Sequence, residues 1–125
     1  VLLDAPCSAS GTIRRHPDLP WLKKPADLPK LTALQDRLLA NAVAMTRPGG
    51  VIVYATCSLQ PEEGIARIES LLASGAPVER LPIAADELGG LGDLLTLEGD
   101  MRSLPFHLAE KGGMDGFFAA RLRKR

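Results

Sequence analysis

Hydrophobic positions along the chain fall into two periodicities. Val1-Leu2-Leu3 is a short apolar run that stops at Asp4-Ala5-Pro6, where proline removes a ladder donor; it predicts a buried strand. From Leu28 onward, Leu31, Leu34, Leu38, Ala42 and Met45 recur every three or four residues with Lys30, Gln35, Asp36 and Arg37 between them, the spacing of an amphipathic helix. Arg47-Pro48-Gly49-Gly50 ends it. Val51-Ile52-Val53-Tyr54-Ala55 is apolar throughout, as expected of a strand covered on both faces in a parallel sheet, so strand, helix and strand form a βαβ unit. Pro61-Glu62-Glu63 opens a second helix, proline suiting its first position and the carboxylates its positive end, with Ile65, Ile68, Leu71 and Leu72 as the buried stripe and Gly75-Ala76-Pro77 as the stop. A short strand is expected at 78 to 81 and a last one at 116 to 122, after the Gly112-Gly113 turn. Gly11, Pro17, Pro20 and Pro25 make residues 8 to 27 a long loop with one short turn of helix, and loops of that length are commonly functional. Residues 82 to 104 read as irregular, with a short strand at Leu94 to Leu97.

Composition narrows the picture. At 125 residues and 46% hydrophobic content the chain suits one compact domain with a sizeable core. The formal net charge is zero, so bulk charge gives no argument for nucleic acid or membrane. Local charge is less even: Arg14, Arg15, Lys23, Lys24, Lys30 and Arg37 cluster in one segment, and the segment from Glu79 to Asp100 is acidic. No apolar run approaches the roughly 20 residues of a membrane span, which predicts a soluble, cytoplasmic protein without a membrane partner. Two cysteines without CxxC or Cys/His spacing predict reduced thiols and no metal. Because Val1 opens directly on a strand, the chain reads as a fragment with more sequence upstream.

The candidate chemistry lies in two Cys-Ser pairs, Cys7-Ser8 and Cys57-Ser58, each at the end of an apolar strand. Paired parallel strands lie about 4.8 Å apart, so both thiols would leave the same carboxyl edge, where open α/β sheets hold their ligands. Asp4, at the tip of the first strand, would point into the same crevice. Other readings stand beside this one. A lone cysteine is often a small core residue, and the two serines suit turns. A cysteine-phosphatase loop from Cys7 to Arg14 is one residue too long and leaves Cys57 idle. A dithiol redox protein normally uses CxxC near a helix start, and a noncatalytic RNA-binding module would rely on the basic loop.

Together, DAPCSASGTIRRHPD (4 to 18), Trp21, LQDRLLANA (34 to 42), RPGGVIVYATCSLQPEEG (47 to 64) and LPFHLAEKGGMDGFFAARLRK (104 to 124) closely resemble the C-terminal part of the Sun/RsmB-type RNA cytosine-C5 methyltransferases, with 76 to 100 as the exception. The resemblance implies an α/β fold for residues 1–125: the C-terminal half of a Rossmann-like class I methyltransferase sheet, with parallel strands, an antiparallel closing strand at 116 to 122 beside the second parallel strand, and 78 to 81 at the outer edge. It implies transfer of a methyl group from S-adenosylmethionine to C5 of a cytosine in small-subunit ribosomal RNA. Cys57 takes the role of the nucleophile that adds to C6, and Cys7 that of releasing the methylated base. Asp4 is placed between cofactor and base, where it contacts the amino acid part of S-adenosylmethionine and assists protonation at N3. Pro6 shapes the loop beneath the base beside the cofactor, and Arg14, Arg15 and His16 are expected on RNA phosphate. Tyr54 is assigned to core packing and Asp115 to the turn before the last strand. No glycine-rich cofactor loop is present, so the isolated chain is expected to be inactive and to bind S-adenosylmethionine weakly or not at all.

Overall fold

The computed structural model describes residues 1–125. Its strands are β1 (Leu2–Asp4), β2 (Val51–Thr56), β3 (Val78–Arg80), β4 (Met101–Ser103) and β5 (Phe117–Lys124), and its helices α1 (Leu19–Leu22), α2 (Leu28–Met45) and α3 (Ile65–Ala73). β1 and β2 pair in parallel, joined by the crossover through α2, and β5 runs antiparallel along the other side of β2. The far edge of β5 is shared: β3 pairs with Leu122 to Lys124 and β4 with Phe117 to Ala119. The closing strand therefore occupies the position expected for it and extends two residues further. No helix is long and apolar enough to cross a membrane.

Ile52 and Tyr54 of β2 sit opposite Leu122 and Ala120 of β5, so one face of the sheet gathers these side chains with Phe118. Leu39, Ala42 and Val43 of α2 and Ile68 of α3 pack on that face and complete the core. Burial of β2 alternates over its first residues and becomes continuous only at Tyr54, Ala55 and Thr56, so coverage on both faces is confined to the end nearest the cysteines.

Several elements depart from the pattern read in the sequence. β1 is the free edge of the sheet rather than a buried strand, and its Leu2 is 72% exposed. The core side of α2 carries Gln35, Leu39, Ala42 and Val43, while Met45 is 72% exposed. Leu38 and Met45 instead border a cleft with Val1, Leu2 and Leu3, so the leucine spacing had merged two helix faces. Pro61–Glu63 forms a separate 3₁₀ turn, and Gly64, at φ −115° and ψ −107°, breaks it from α3. Residues 94 to 97 form no strand: Gly92–Leu94 is a 3₁₀ turn, Leu95 bridges Met101, and the strand proper lies at β4. The cause is a tight loop. Thr96 N–H donates to Asp100 O at 2.8 Å and Gly99 turns at φ +82°, so the chain reverses before it can pair.

Candidate active site

The parallel register Leu2↔Val53, Leu3↔Tyr54, Asp4↔Ala55 ends the two strands level with each other. Ala5 N–H extends the ladder to Ala55 O at 2.9 Å, and two residues beyond each end the Cys7 and Cys57 sulfurs lie 3.5 Å apart, across 50 positions of sequence. The loop after Cys7 folds back over this edge. Gly11 N–H donates to Cys57 O at 2.9 Å, and Gly116 N–H donates to Gly11 O at 2.8 Å. A Cβ on Gly11 would sit 2.0 Å from Gly116 O, so the close approach of three backbone segments requires glycine.

Beneath the thiols lies Glu63, which is fully buried. Its Oε2 accepts hydrogen bonds from the hydroxyls of Ser8 and Ser58, both at 2.5 Å. Its Oε1 accepts from Ser8 N–H at 2.9 Å and from Gln35 Nε2 at 3.1 Å, and the same Gln35 amide donates to Pro6 O at 2.8 Å. Ser10 joins the cluster: its hydroxyl accepts from Leu59 N–H at 2.9 Å and lies 3.3 Å from Ser58 Oγ. Each cysteine is thus followed by a serine whose hydroxyl is delivered to one carboxylate oxygen. A buried carboxylate is tolerated only when its lone pairs are satisfied, and here they are. Tyr54, in the core as expected, donates its hydroxyl to Glu63 O at 2.8 Å, and burial above all pushes its pKa upward.

Sequence reasoning assigned Glu63 to the helix dipole and Gln35 to the polar face of α2; both are buried supports of the thiol loops. The available signal was the pair Ser8 and Ser58, two hydroxyl groups at equivalent strand ends for which a shared acceptor could have been sought.

Burial pushes the Cys7 thiol up to about 12, and the neighbouring Cys57 sulfur adds to the effect. Cys7 is therefore a protonated thiol at neutral pH. Asp4 stands exposed at the end of β1, and its side chain makes no hydrogen bond or ion pair. Pro6 is exposed on the same loop. Arg14 and Arg15 turn toward the chain segment before β5: Arg15 holds Asp115 Oδ2 with Nε and Nη2, each at 2.7 Å, and Arg14 Nη2 donates to Gly112 O at 3.1 Å. His16 is exposed. Asp115 ties the turn before β5 to this loop, in keeping with its structural reading. No three His, Cys, Asp or Glu side chains gather in a way that could hold a metal ion.

A sheet with helices on its core face and two loops meeting beyond its carboxyl edge is the arrangement of Rossmann-like methyltransferases, and the solved structures that superpose on it are of that kind. A methyltransferase homologue from Pyrococcus horikoshii matches with TM-score 0.70 and 35% identity over 99% of this chain and 38% of its own. NSun6 from Pyrococcus horikoshii, solved with SFG, matches with TM-score 0.74 and 25% identity over 98% of this chain and 29% of its own. The profile described as 16S rRNA methyltransferase RsmB/F matches residues 1–123, and the chain belongs to that family. Ribosomal RNA small subunit methyltransferase B of Pasteurella multocida (strain Pm70) is 44% identical over 126 residues, covering 99% of this chain. The chain spans about a quarter of the length of that relative.

Proposed function

We propose that this chain carries the thiol pair of an enzyme that methylates C5 of a cytosine in small-subunit ribosomal RNA. The observation that supports the reading is the 3.5 Å separation of the Cys7 and Cys57 sulfurs beyond the carboxyl ends of β1 and β2. Cytosine C5 is a poor nucleophile. When the Cys57 thiolate adds to C6, an S–C6 bond forms and the electron pair of the C5–C6 double bond moves toward C5, dividing one difficult step into easier ones. When bound, S-adenosylmethionine would supply an electrophilic methyl group for C5 and leave as the neutral thioether. Loss of the C5 proton then restores the double bond and expels Cys57 as thiolate. Cys7 is the base assigned to that proton. Because burial keeps the Cys7 thiol protonated at neutral pH, it acts as that base only after its own proton has been removed.

Asp4 offers an exposed carboxylate on which no protein donor competes, which fits a contact to the amino acid part of the cofactor and a position from which to assist protonation at cytosine N3. Pro6 holds the loop beneath the base through the Gln35 bond to its carbonyl. These residues supply one side of a cofactor site, since no glycine-rich strand-to-helix turn lies in the chain. SFG, present in the NSun6 structure, is an analogue of S-adenosylmethionine and supports that choice of cofactor. The chain alone is expected to bind S-adenosylmethionine weakly or not at all, and tight binding in a calorimetric titration would overturn that expectation.

The test uses the full-length protein and its ribosomal RNA on denaturing gels. Cys7→Ala should accumulate an RNA-linked species, and Cys57→Ala should lose both adduct and methylated product. Product formation by Cys57→Ala would refute the assignment. The same sulfur separation favours a second reading, in which the two thiols pass two electrons and two protons to a disulfide such as oxidised glutathione and close a Cys7–Cys57 bond. Thiol titration across defined glutathione ratios tests it.

A further inference from the structure

We infer that single-stranded RNA beside the target nucleotide crosses the surface formed by α1 and the start of α2, with a base stacked on Trp21 and phosphates held by Lys23 and Lys24. The inference rests on the proposed function for the identity of the strand; the surface itself is argued from its own residues. α1 buries none of its side chains, and Trp21 is 87% exposed. Pro20 within the helix and Pro25 just beyond it restrict the backbone, so the indole is presented from a segment with little freedom to lose.

Below this segment lies a pocket of about 330 Å³, in the size range of small-ligand sites. Its lining includes Ser8 and Ser10 from the loop after Cys7, and Gln60 from the loop after Cys57. Lys23 and Lys24 line it as well, with Ile13 and Leu19 among its apolar lining. A chain occupying it would touch both loops that carry the cysteines and the segment that carries Trp21.

Charge selects the occupant. Arg15 is committed to Asp115, whereas neither lysine forms an ion pair. Asp27, a carboxylate on the pocket wall, already accepts the Lys24 backbone N–H at 3.0 Å. The net charge of the chain is zero, so attraction for a polyanion has to be local. An exposed aromatic face, close in sequence to two ammonium groups without ion-pair partners that line an apolar pocket, is a combination suited to unpaired bases and their backbone.

Trp21 is the only tryptophan, so its fluorescence reports on this surface alone. Titrating the chain with a single-stranded octacytidylate at low salt should quench that fluorescence. Trp21→Leu, followed by anisotropy of a labelled octacytidylate, should weaken binding about 10-fold. Lys23→Ala with Lys24→Ala should reduce the slope of log K against log salt by about 1.4, two phosphates' worth for a single strand. Binding without a change in Trp21 emission, equal affinity of Trp21→Leu, or no binding at all would overturn the inference. So would protection of the corresponding tryptophan from acrylamide in the RNA-free full-length protein, which would mean that a protein segment covers it. The two readings fail separately. An RNA-linked adduct in the full-length protein without Trp21 quenching leaves the methyltransferase and removes this surface; quenching without an adduct does the reverse.

Discussion

Replacing Glu63 by alanine should loosen both cysteine loops at once. The carboxylate accepts hydrogen bonds from Ser8 N–H, the hydroxyls of Ser8 and Ser58, and the Gln35 amide, and hydrogen bonds to a charged group contribute about 1.5–3 kcal/mol each. Their sum overstates the loss, because several donors have alternatives. The two serine hydroxyls lie 3.2 Å apart and can pair with each other, and Gln35 keeps its bond to Pro6 O. Ser8 N–H cannot be re-aimed and is left without an acceptor. A loss of about 3–5 kcal/mol is expected, in line with removing one member of a buried charged network, against a total stability of roughly 5–15 kcal/mol. With a urea slope of about 1–3 kcal/mol/M, the unfolding midpoint should fall by about 1–5 M. Glu63→Gln keeps an acceptor for Ser8 N–H and Gln35 but meets the serine hydroxyls with an amide; it should lose about 1–2 kcal/mol. Urea unfolding followed by far-ultraviolet circular dichroism measures all three proteins. A loss below about 1 kcal/mol for the alanine variant at unchanged slope would refute the claim that this carboxylate clamps the site.

Four further outcomes are expected. Cys7 should alkylate slowly with iodoacetamide at pH 8 in a Cys57→Ser variant, because burial, the main cause of its raised pKa, remains; a rate equal to that of a free thiol would contradict this. The same raised pKa makes Cys7's contribution to stability fully present below its unfolded value near 9 and lost as pH rises through about 12, so wild type and Cys7→Ala should differ in urea midpoint in a way that changes across that window. Gly11→Ala places a Cβ 2.0 Å from Gly116 O and 2.9 Å from Cys57 O, both backbone atoms, and should cost at least the roughly 1–3 kcal/mol of an overpacked site, read as a lower thermal midpoint. Arg80→Met leaves the fully buried Asp100 without its 2.7 Å partner and should cost about 3–5 kcal/mol. Burial already raises the Asp100 pKa and losing Arg80 raises it further, so the penalty should be smallest in acid and grow as pH climbs through that pKa.

The βαβ unit and the meeting of two cysteines at one sheet edge were legible because each rests on strong local signals: β-branched runs, proline and glycine stops, and the handedness of crossovers. Less legible was whatever depended on which side of a helix faces inward. Leu31, Leu34, Leu38 and Met45 have helical spacing, yet the core takes Leu39 and Val43, because α2 also lies along the open edge of β1. Gln35 and Glu63 are polar, and polar residues read as solvent-facing unless a buried partner is known; those partners come from loops far away in sequence. β4 escaped notice because it has three residues that pair with β5 far along the sequence, and little local marks them apart from the Gly99 turn and the single Leu95 bridge.

The Gly116–Gly11 contact gives the site a temporal order. As a polypeptide leaves the ribosome amino end first, the segment that carries both sulfurs emerges well before the strand inserted between β2 and β3. Until that strand joins, the loop bearing Cys7 lacks its backstop and one edge of β2 has no partner. The backbone contact that braces the Cys7 loop is thus complete only once β5, which follows both cysteines in the sequence, has joined the sheet.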